Sequence, residues 1–309
     1  MKLRELGEDR LLARLLRSLP TSDDVIVGPG GDCAIVEPAR GNELLVLKTD
    51  CVVEEIHFTD SVGPALVGWK AMVRPLSDFA AVSGVPKFAL ISLIVPANKS
   101  TAWVATLYRG LRRAAGRFHV TIVGGETSNT RGPVVISVAV AGFVEKNRFV
   151  TRHGGKAGDA LFVTGRLGGA LRGKHLRFVP RIEESRWLTK HFRIHAMMDL
   201  SDGLGADLPR LARASGVGFQ IDKNALPLAA GANIKAAISD GEDYELLFAI
   251  SQRDQRRLES SWRRKFPKLR LTRIGAFVPQ SAKGQSGRRL AVESSDRTSS
   301  LKRGYVHFQ

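Results

Sequence analysis

The chain of 309 residues carries 47 Lys and Arg against 30 Asp and Glu, a net charge of +17, with 43% apolar and 25% charged residues. These fractions are ordinary for a soluble globular protein of about two domains. No apolar run reaches the ~18 residues of a membrane span, the N-terminus lacks the apolar core of a signal peptide, and two cysteines, Cys33 and Cys51, exclude a disulfide framework, so the expected location is cytoplasmic.

Glu8 to Leu19 places leucines at helical spacing and stops at Pro20, which predicts an amphipathic opening helix. A flexible Gly28-Pro29-Gly30-Gly31 loop follows, then a short buried strand over Leu44 to Leu47 whose C-terminal end delivers Thr49 and Asp50, where open α/β sheets usually place ligands. A helix is predicted over Ala65 to Val82, ended or kinked at Pro75. Next come a strand at Phe88 to Val95, a helix at Thr101 to Phe118, a strand at Val120 to Val123 running into Gly124-Gly125-Glu126-Thr127, and a long apolar strand at Val134 to Val144. This alternation closes one α/β unit, and the polar, glycine-containing stretch from Glu145 to Gly158 makes the best domain boundary, giving domains 1–148 and 149–309.

Beyond it, strands are predicted at Ala160 to Thr164, Phe219 to Ile221 and Leu246 to Ile250, with helices at Leu204 to Ala214 and Arg253 to Lys265. Pro209 belongs in a helix's first turn, so the first of these helices should start near Ala206 or be kinked. Pro279 to Arg289 reads as a surface loop. Residues 251–309 hold 15 Lys or Arg against 4 Asp or Glu. Such a surface attracts nucleic acid, membrane phosphates or an anionic substrate, but no zinc-finger spacing, RNP-like aromatic run or basic region with heptads accompanies it, so it reads as a solvated basic face.

Five acidic signatures end apolar runs: Gly31-Asp32, Thr49-Asp50, Ser77-Asp78, Asp199-Leu200-Ser201-Asp202-Gly203 and Asp240-Gly241-Glu242-Asp243-Tyr244. Like charges ~4 Å apart repel by about 4 kcal/mol at a protein surface, so a convergent set calls for divalent cations, and magnesium carrying a nucleotide's phosphates meets that need. Ser201-Asp202-Gly203 reads either as helix capping or as a phosphate or metal site; four polar groups, Asp199, Ser201, Asp202 and Asp207, exceed what capping requires and favour the second. Gly124-Gly125 is either a tight turn or a backbone approach to phosphate with Glu126 aimed at its cation, and His57 is either a surface histidine or a ligand contact. There is no Walker A motif and no GxGxxG opening a βαβ unit.

The run of motifs Gly31-Asp32-Cys33-Ala34, Lys48-Thr49-Asp50, His57-Phe58, Leu76-Ser77-Asp78-Phe79-Ala80-Ala81, Gly125-Glu126-Thr127, Thr151-Arg152, Asp199-Leu200-Ser201-Asp202-Gly203 and Gly241-Glu242-Asp243-Tyr244-Glu245-Leu246 resembles the thiamine-monophosphate kinase family along the whole chain, within the aminoimidazole ribonucleotide synthetase-like superfamily. The resemblance implies two α/β (α+β) domains, the first pairing with a second copy in a homodimer to close a β-barrel and the second an α/β domain. It implies ATP and thiamine monophosphate as substrates, with direct in-line phosphoryl transfer assisted by several Mg2+ ions. On that basis Asp50, Asp78 and Asp202 are the catalytic acids; Asp32, Thr49, Asp50, Asp78, Glu126, Asp199 and Asp202 hold metal; Gly125, Glu126, Arg152 and Ser201 contact ATP; His57 and Glu242 face the thiamine phosphate; and Lys302 is the substrate residue standing where the family's aromatic stacks on the thiamine rings.

Gly31, Lys48, Pro75, Glu126, Asp240 and Lys302 depart from the family pattern, and Lys48 is placed to replace one cation's charge. Two other readings stand: a superfamily relative acting on a different acceptor, and a non-catalytic protein whose basic C-terminal region binds nucleic acid.

Overall fold

The computed structural model describes residues 8–16, 22–38 and 41–280. Helix α1, Glu8–Leu16, is followed by β1 (Val25–Val27), β2 (Ala34–Val36), β3 (Glu43–Val53), α2 (Pro64–Ala81), β4 (Val85–Pro96), α3 (Thr101–Arg117), β5 (Thr121–Thr130) and β6 (Val135–Glu145). The six strands form one sheet in the order β1-β2-β3-β6-β4-β5. Only β4 and β5, joined through α3, are parallel; every other neighbour is antiparallel. The sheet ends at β1 and β5 and is not closed on itself.

One face of this sheet is the core. Val46 and Val52 of β3, Ile91 of β4 and Ile136, Val138 and Val140 of β6 are buried beneath α2 and α3. The two helices lie close because Gly68 and Gly110 carry no side chain: a Cβ at Gly68 would come within 2.1 Å of the Leu107 carbonyl oxygen, and one at Gly110 within 2.0 Å of that of Ala65. The other face is open. Cross-strand register aligns Leu47, Ala141 and Phe88 in one row and Thr49, Ala139 and Leu90 in the next, and Leu47, Phe88 and Leu90 are all substantially exposed.

The second sheet, in the order β8-β10-β7-β11-β9, is antiparallel throughout. Its strands are β7 (Ala160–Thr164), β8 (Ile194–Asp199), β9 (Gly218–Ile221), β10 (Leu246–Ile250) and β11 (Leu271–Val278), interleaved with α4 (Ile182–His191), α5 (Leu204–Ala214), α6 (Ile234–Ser239) and α7 (Gln255–Lys265). Helices cover both faces. Leu161, Val163, Leu247 and Ala249 pack with residues of α5 and α6, while Phe162, Phe248 and Ile250 pack with Leu188 of α4 and Trp262 of α7. Burial on both faces explains why β7 and β10 read as unbroken apolar runs instead of alternating ones.

Several boundaries differ from the sequence reading. Strand β3 runs on to Val53, so Thr49 and Asp50 lie inside it on opposite faces and not beyond its end. Strand β5 absorbs Gly124-Gly125-Glu126-Thr127, because the parallel ladder with β4 continues through them. Helix α2 continues past Pro75, and α5 starts at Leu204, leaving Pro209 in its interior. The end of the first predicted helix at Leu19 and the loop beyond Gln280 fall outside the described residues.

Candidate active site

Helix α2 is the centre of the site. It is buried over most of its length between the first sheet, α3 and the second sheet, and it presents Lys70, Arg74, Ser77 and Asp78 to the seam. The sequence opens no helical N-cap side chain here; the run starts on Pro64 at its first position, where a missing N–H costs nothing. Asp78 meets Asp32, from the loop before β2, and Asp199, from the end of β8. One oxygen of each carboxylate lies within 4.8 Å of the other two, and all three residues are buried. Acids from both halves of the chain therefore converge.

The positive groups around them are specific. Lys48 Nζ donates to Asp78 Oδ1 at 2.9 Å. Arg152 grips Asp32 with two parallel bonds, Nε to Oδ2 at 3.0 Å and Nη2 to Oδ1 at 2.7 Å. The Ser77 hydroxyl donates to Asp199 Oδ2 at 2.6 Å. Asp50, on the helix-facing side of β3, acts electrostatically on Lys48, Arg74 and Asp78. Burial, and then the charge of Asp32, pushes the Asp199 carboxyl up to about 6, while burial and the charges of Asp50, Asp199 and Asp32 hold Asp78 well above the usual carboxylate range against the pull of Lys48. Three hard oxygen donors that resist ionising together suit a divalent cation of the magnesium type, so the donor set fits the expected metal.

A second cluster lies further toward the start of α2. Lys70 is fully buried, and its Nζ reaches Glu242 Oε2 at 2.7 Å, the His57 carbonyl at 2.8 Å and His175 Nδ1 at 2.8 Å. Burial alone would raise the Glu242 carboxyl, but the His175 hydrogen bond and the Lys70 charge outweigh it and hold it at about 2. Burial lowers the Lys70 ammonium to about 8, with Glu242 opposing the shift. Glu242 sits at φ 63°, pinned by its N–H to the Ser201 carbonyl at 2.6 Å. Tyr244 stacks on Phe178 with ring centroids 3.9 Å apart.

The two predicted acceptor residues, His57 and Glu242, are thus joined through Lys70, which the motif reading left unassigned. Asp202 is not in the three-carboxylate group; it pairs with Arg210, which also holds Asp207 Oδ1 at 3.0 Å. Neither Ser201 nor Asp202 caps α5, whose N-cap is Gly203 without a side-chain bond. Thr49 and Glu126 stand on the open face of the first sheet: Thr49 bonds Ser137, and Glu126 lies in the row Cys51-Ser137-Ser92-Glu126. Gly125 is required by packing, since a Cβ there would approach the Ile91 carbonyl oxygen to 1.8 Å. Lys302 lies outside the described residues.

Residues 30–144 match the model of AIR synthase related protein, N-terminal domain, and residues 146–255 that of its C-terminal domain. Fold and acidic seam together define a two-domain AIR synthase-like protein of mixed α and β content. The thiamine-monophosphate kinase of Rhodopirellula baltica is 34% identical over 311 residues, covering 94% of this chain and 93% of the relative. That of Aquifex aeolicus is 37% identical, covering 80% and 87% respectively. The solved structure of AaThiL complexed with AMPPCP and TMP superposes with a TM-score of 0.81 at 33% identity, covering 99% of each chain. The chain belongs to the thiamine-monophosphate kinase family.

Proposed function

We propose that this protein transfers the γ-phosphoryl group of ATP to thiamine monophosphate, giving thiamine diphosphate, by direct in-line displacement. The observation that carries the reading is the meeting of Asp32, Asp78 and Asp199 from both halves of a chain of this family. Asp32, Asp78 and Asp199 would hold magnesium, with Asp50 and Asp202 beside them, and the metal would neutralise the charge of the triphosphate. Lys48 fixes the Asp78 carboxylate and Ser77 fixes Asp199 before nucleotide enters, whereas Asp32, held at both oxygens by Arg152, would exchange that guanidinium for the metal. Arg152, released from Asp32, is also placed to meet a phosphate oxygen.

The acceptor enters at the Lys70-Glu242-His175 end, beside His57. Its nucleophile is a phosphate oxygen already ionised at neutral pH, so no general base is required and positioning is the main contribution of the protein. In this reading ATP would lie between two units divided near residue 148, and the activity would belong in the cytoplasm, where ATP is supplied.

A homodimer completes the proposal. The open face of the first sheet exposes Leu47, Phe88, Leu90 and Val123, an apolar patch ending at the edge strand β5, and a second copy would bury it and close the barrel. Thr49 and Glu126 on that face would then meet the partner's surface.

The test is formation of thiamine diphosphate from ATP, magnesium and thiamine monophosphate by the purified protein. No product, with magnesium-dependent binding of a non-hydrolysable ATP analogue retained, would move the chain to a relative that phosphorylates another acceptor. No nucleotide binding together with salt-sensitive binding of RNA or DNA would favour the non-catalytic reading.

A further inference from the structure

We propose a second anion site, for a diphosphate group, in the cavity of about 230 Å3 formed by Trp69, Arg113, Arg117 and Arg177. This goes beyond the proposed kinase reaction and does not rest on it. Trp69 forms the floor: it is buried, and its indole N–H donates to the Phe178 carbonyl at 3.0 Å, which fixes the ring. The Arg113 guanidinium lies 4.8 Å and that of Arg117 5.8 Å from the Trp69 ring centroid. Stacking orders a planar guanidinium while leaving its N–H edge open, and that edge matches the spacing of phosphate oxygens.

Arg177 comes from the other half of the chain, following the short turn Lys174–Leu176, so the three cations converge across the seam between the sheets. Among the described residues none of the three is in an ion pair with a carboxylate. The helix that supplies two of them, α3, carries Arg109, Arg112, Arg113 and Arg117 and no acidic residue at all.

All three arginines are solvent-exposed, and a concavity walled by one sign of charge focuses its field and concentrates an anion of opposite sign. The cavity is below the ~300–1,000 Å3 range of sites for drug-sized ligands, which points to a compact, highly charged group. A larger cavity of about 380 Å3 near Trp187 also has basic walls, but there Arg257 is paired with Asp254 and Lys265 with Glu183. Its positive charge is already partly answered.

Inorganic diphosphate titrated calorimetrically into the full-length, metal-free protein tests the site without involving catalysis. We expect one diphosphate per chain, bound at least ~10-fold more tightly than orthophosphate, with affinity falling at least ~10-fold in the R113E/R117E variant. R177E, which alters the opposite wall, should weaken binding to a similar extent, and it keeps the test intact if the double variant does not fold. R257E/R264E at the other basic cavity should bind as the parent does. Absence of binding to the parent, or equal weakening in R257E/R264E, would overturn the site. ADP compared with inorganic diphosphate then identifies the source: tighter ADP binding that is lost in R113E/R117E assigns a nucleoside diphosphate, and equal binding assigns the diphosphate group alone; both support the site.

Discussion

Replacing Lys70 with methionine tests the arrangement of the Lys70-Glu242-His175 cluster. The substitution keeps most of the aliphatic stem but removes an ammonium that is fully buried and has three polar partners, Glu242 Oε2, the His57 carbonyl and His175 Nδ1. Glu242 is only 17% exposed at its side chain, so without Lys70 it keeps a buried carboxylate with only His175 at 2.8 Å and the Tyr244 hydroxyl, donating at 3.4 Å, as side-chain partners among the described residues. Removing one member of such a pair costs about 3–5 kcal/mol, and an ammonium this deeply buried and this fully bonded places K70M in that range. Glu242→Gln, which leaves the lysine buried without its counter-charge, should cost a similar amount. The double variant K70M/E242Q removes both charges together, and its loss should fall short of the sum of the singles by at least ~1.5 kcal/mol. Urea unfolding of the four proteins at pH 7 measures each value. Additivity within about 0.5 kcal/mol, or a K70M loss below ~1 kcal/mol, would refute the pairing as the organising contact of this region.

Three further outcomes follow from the same geometry. Asp199→Asn removes one of three crowded carboxylates, so metal-free thermal stability should be unchanged or higher while magnesium-dependent binding of an ATP analogue weakens at least ~10-fold by calorimetry; a destabilised protein with intact binding would contradict the metal assignment. Burial, opposed by Lys174 and the Gly168 N–H, pushes the Asp243 carboxyl up to about 7, above its unfolded value, so the stability this group contributes is complete below pH ~4 and is lost as pH rises through about 7. Asp243→Asn should therefore flatten the urea midpoint between pH 4 and pH 8 and exceed the parent at pH 8 by up to about 4 kcal/mol; a variant less stable at pH 8 would count against this. Charge placed on the open sheet face by F88E/L90D should give a monomer in light scattering with its melting temperature retained, whereas an unchanged oligomeric state would remove that face from the interface.

Much of this protein was legible in its sequence because apolar runs and their acidic ends are local signals. The buried strands β7 and β10 and the helices α2, α3, α5 and α7 lie close to where periodicity and Pro or Gly punctuation put them, and Asp32, Asp78 and Asp199 meet as their positions at element ends suggested. Lys48, noted as a substitute for cation charge, does sit against Asp78. What was not legible depends on strand continuation and on distant pairing. Reading β3 as ending at Leu47 hid the fact that alternation sends Thr49 to the open face and Asp50 toward α2. Glu126 was misplaced for the same reason, as a residue after a strand that in fact continues through it. Lys70 pairs with a residue 172 positions away, and no window of local periodicity contains that information. A lysine set in the apolar run of α2 was the available clue, since burying an ammonium demands a partner.

Because α2 carries both Lys70 and Asp78, a single rigid rod gauges the gap between the Lys70-Glu242 cluster and the three-carboxylate cluster: eight residues, or about 12 Å along the axis. Inserting one residue between them would turn one end by about 100° relative to the other and lengthen the gauge by ~1.5 Å, so one of the two clusters would swing out of alignment. Length changes are accordingly tolerable in the connecting segments but not between these two side chains, and any ligand pair accepted by the cleft must match the reach of this one calliper.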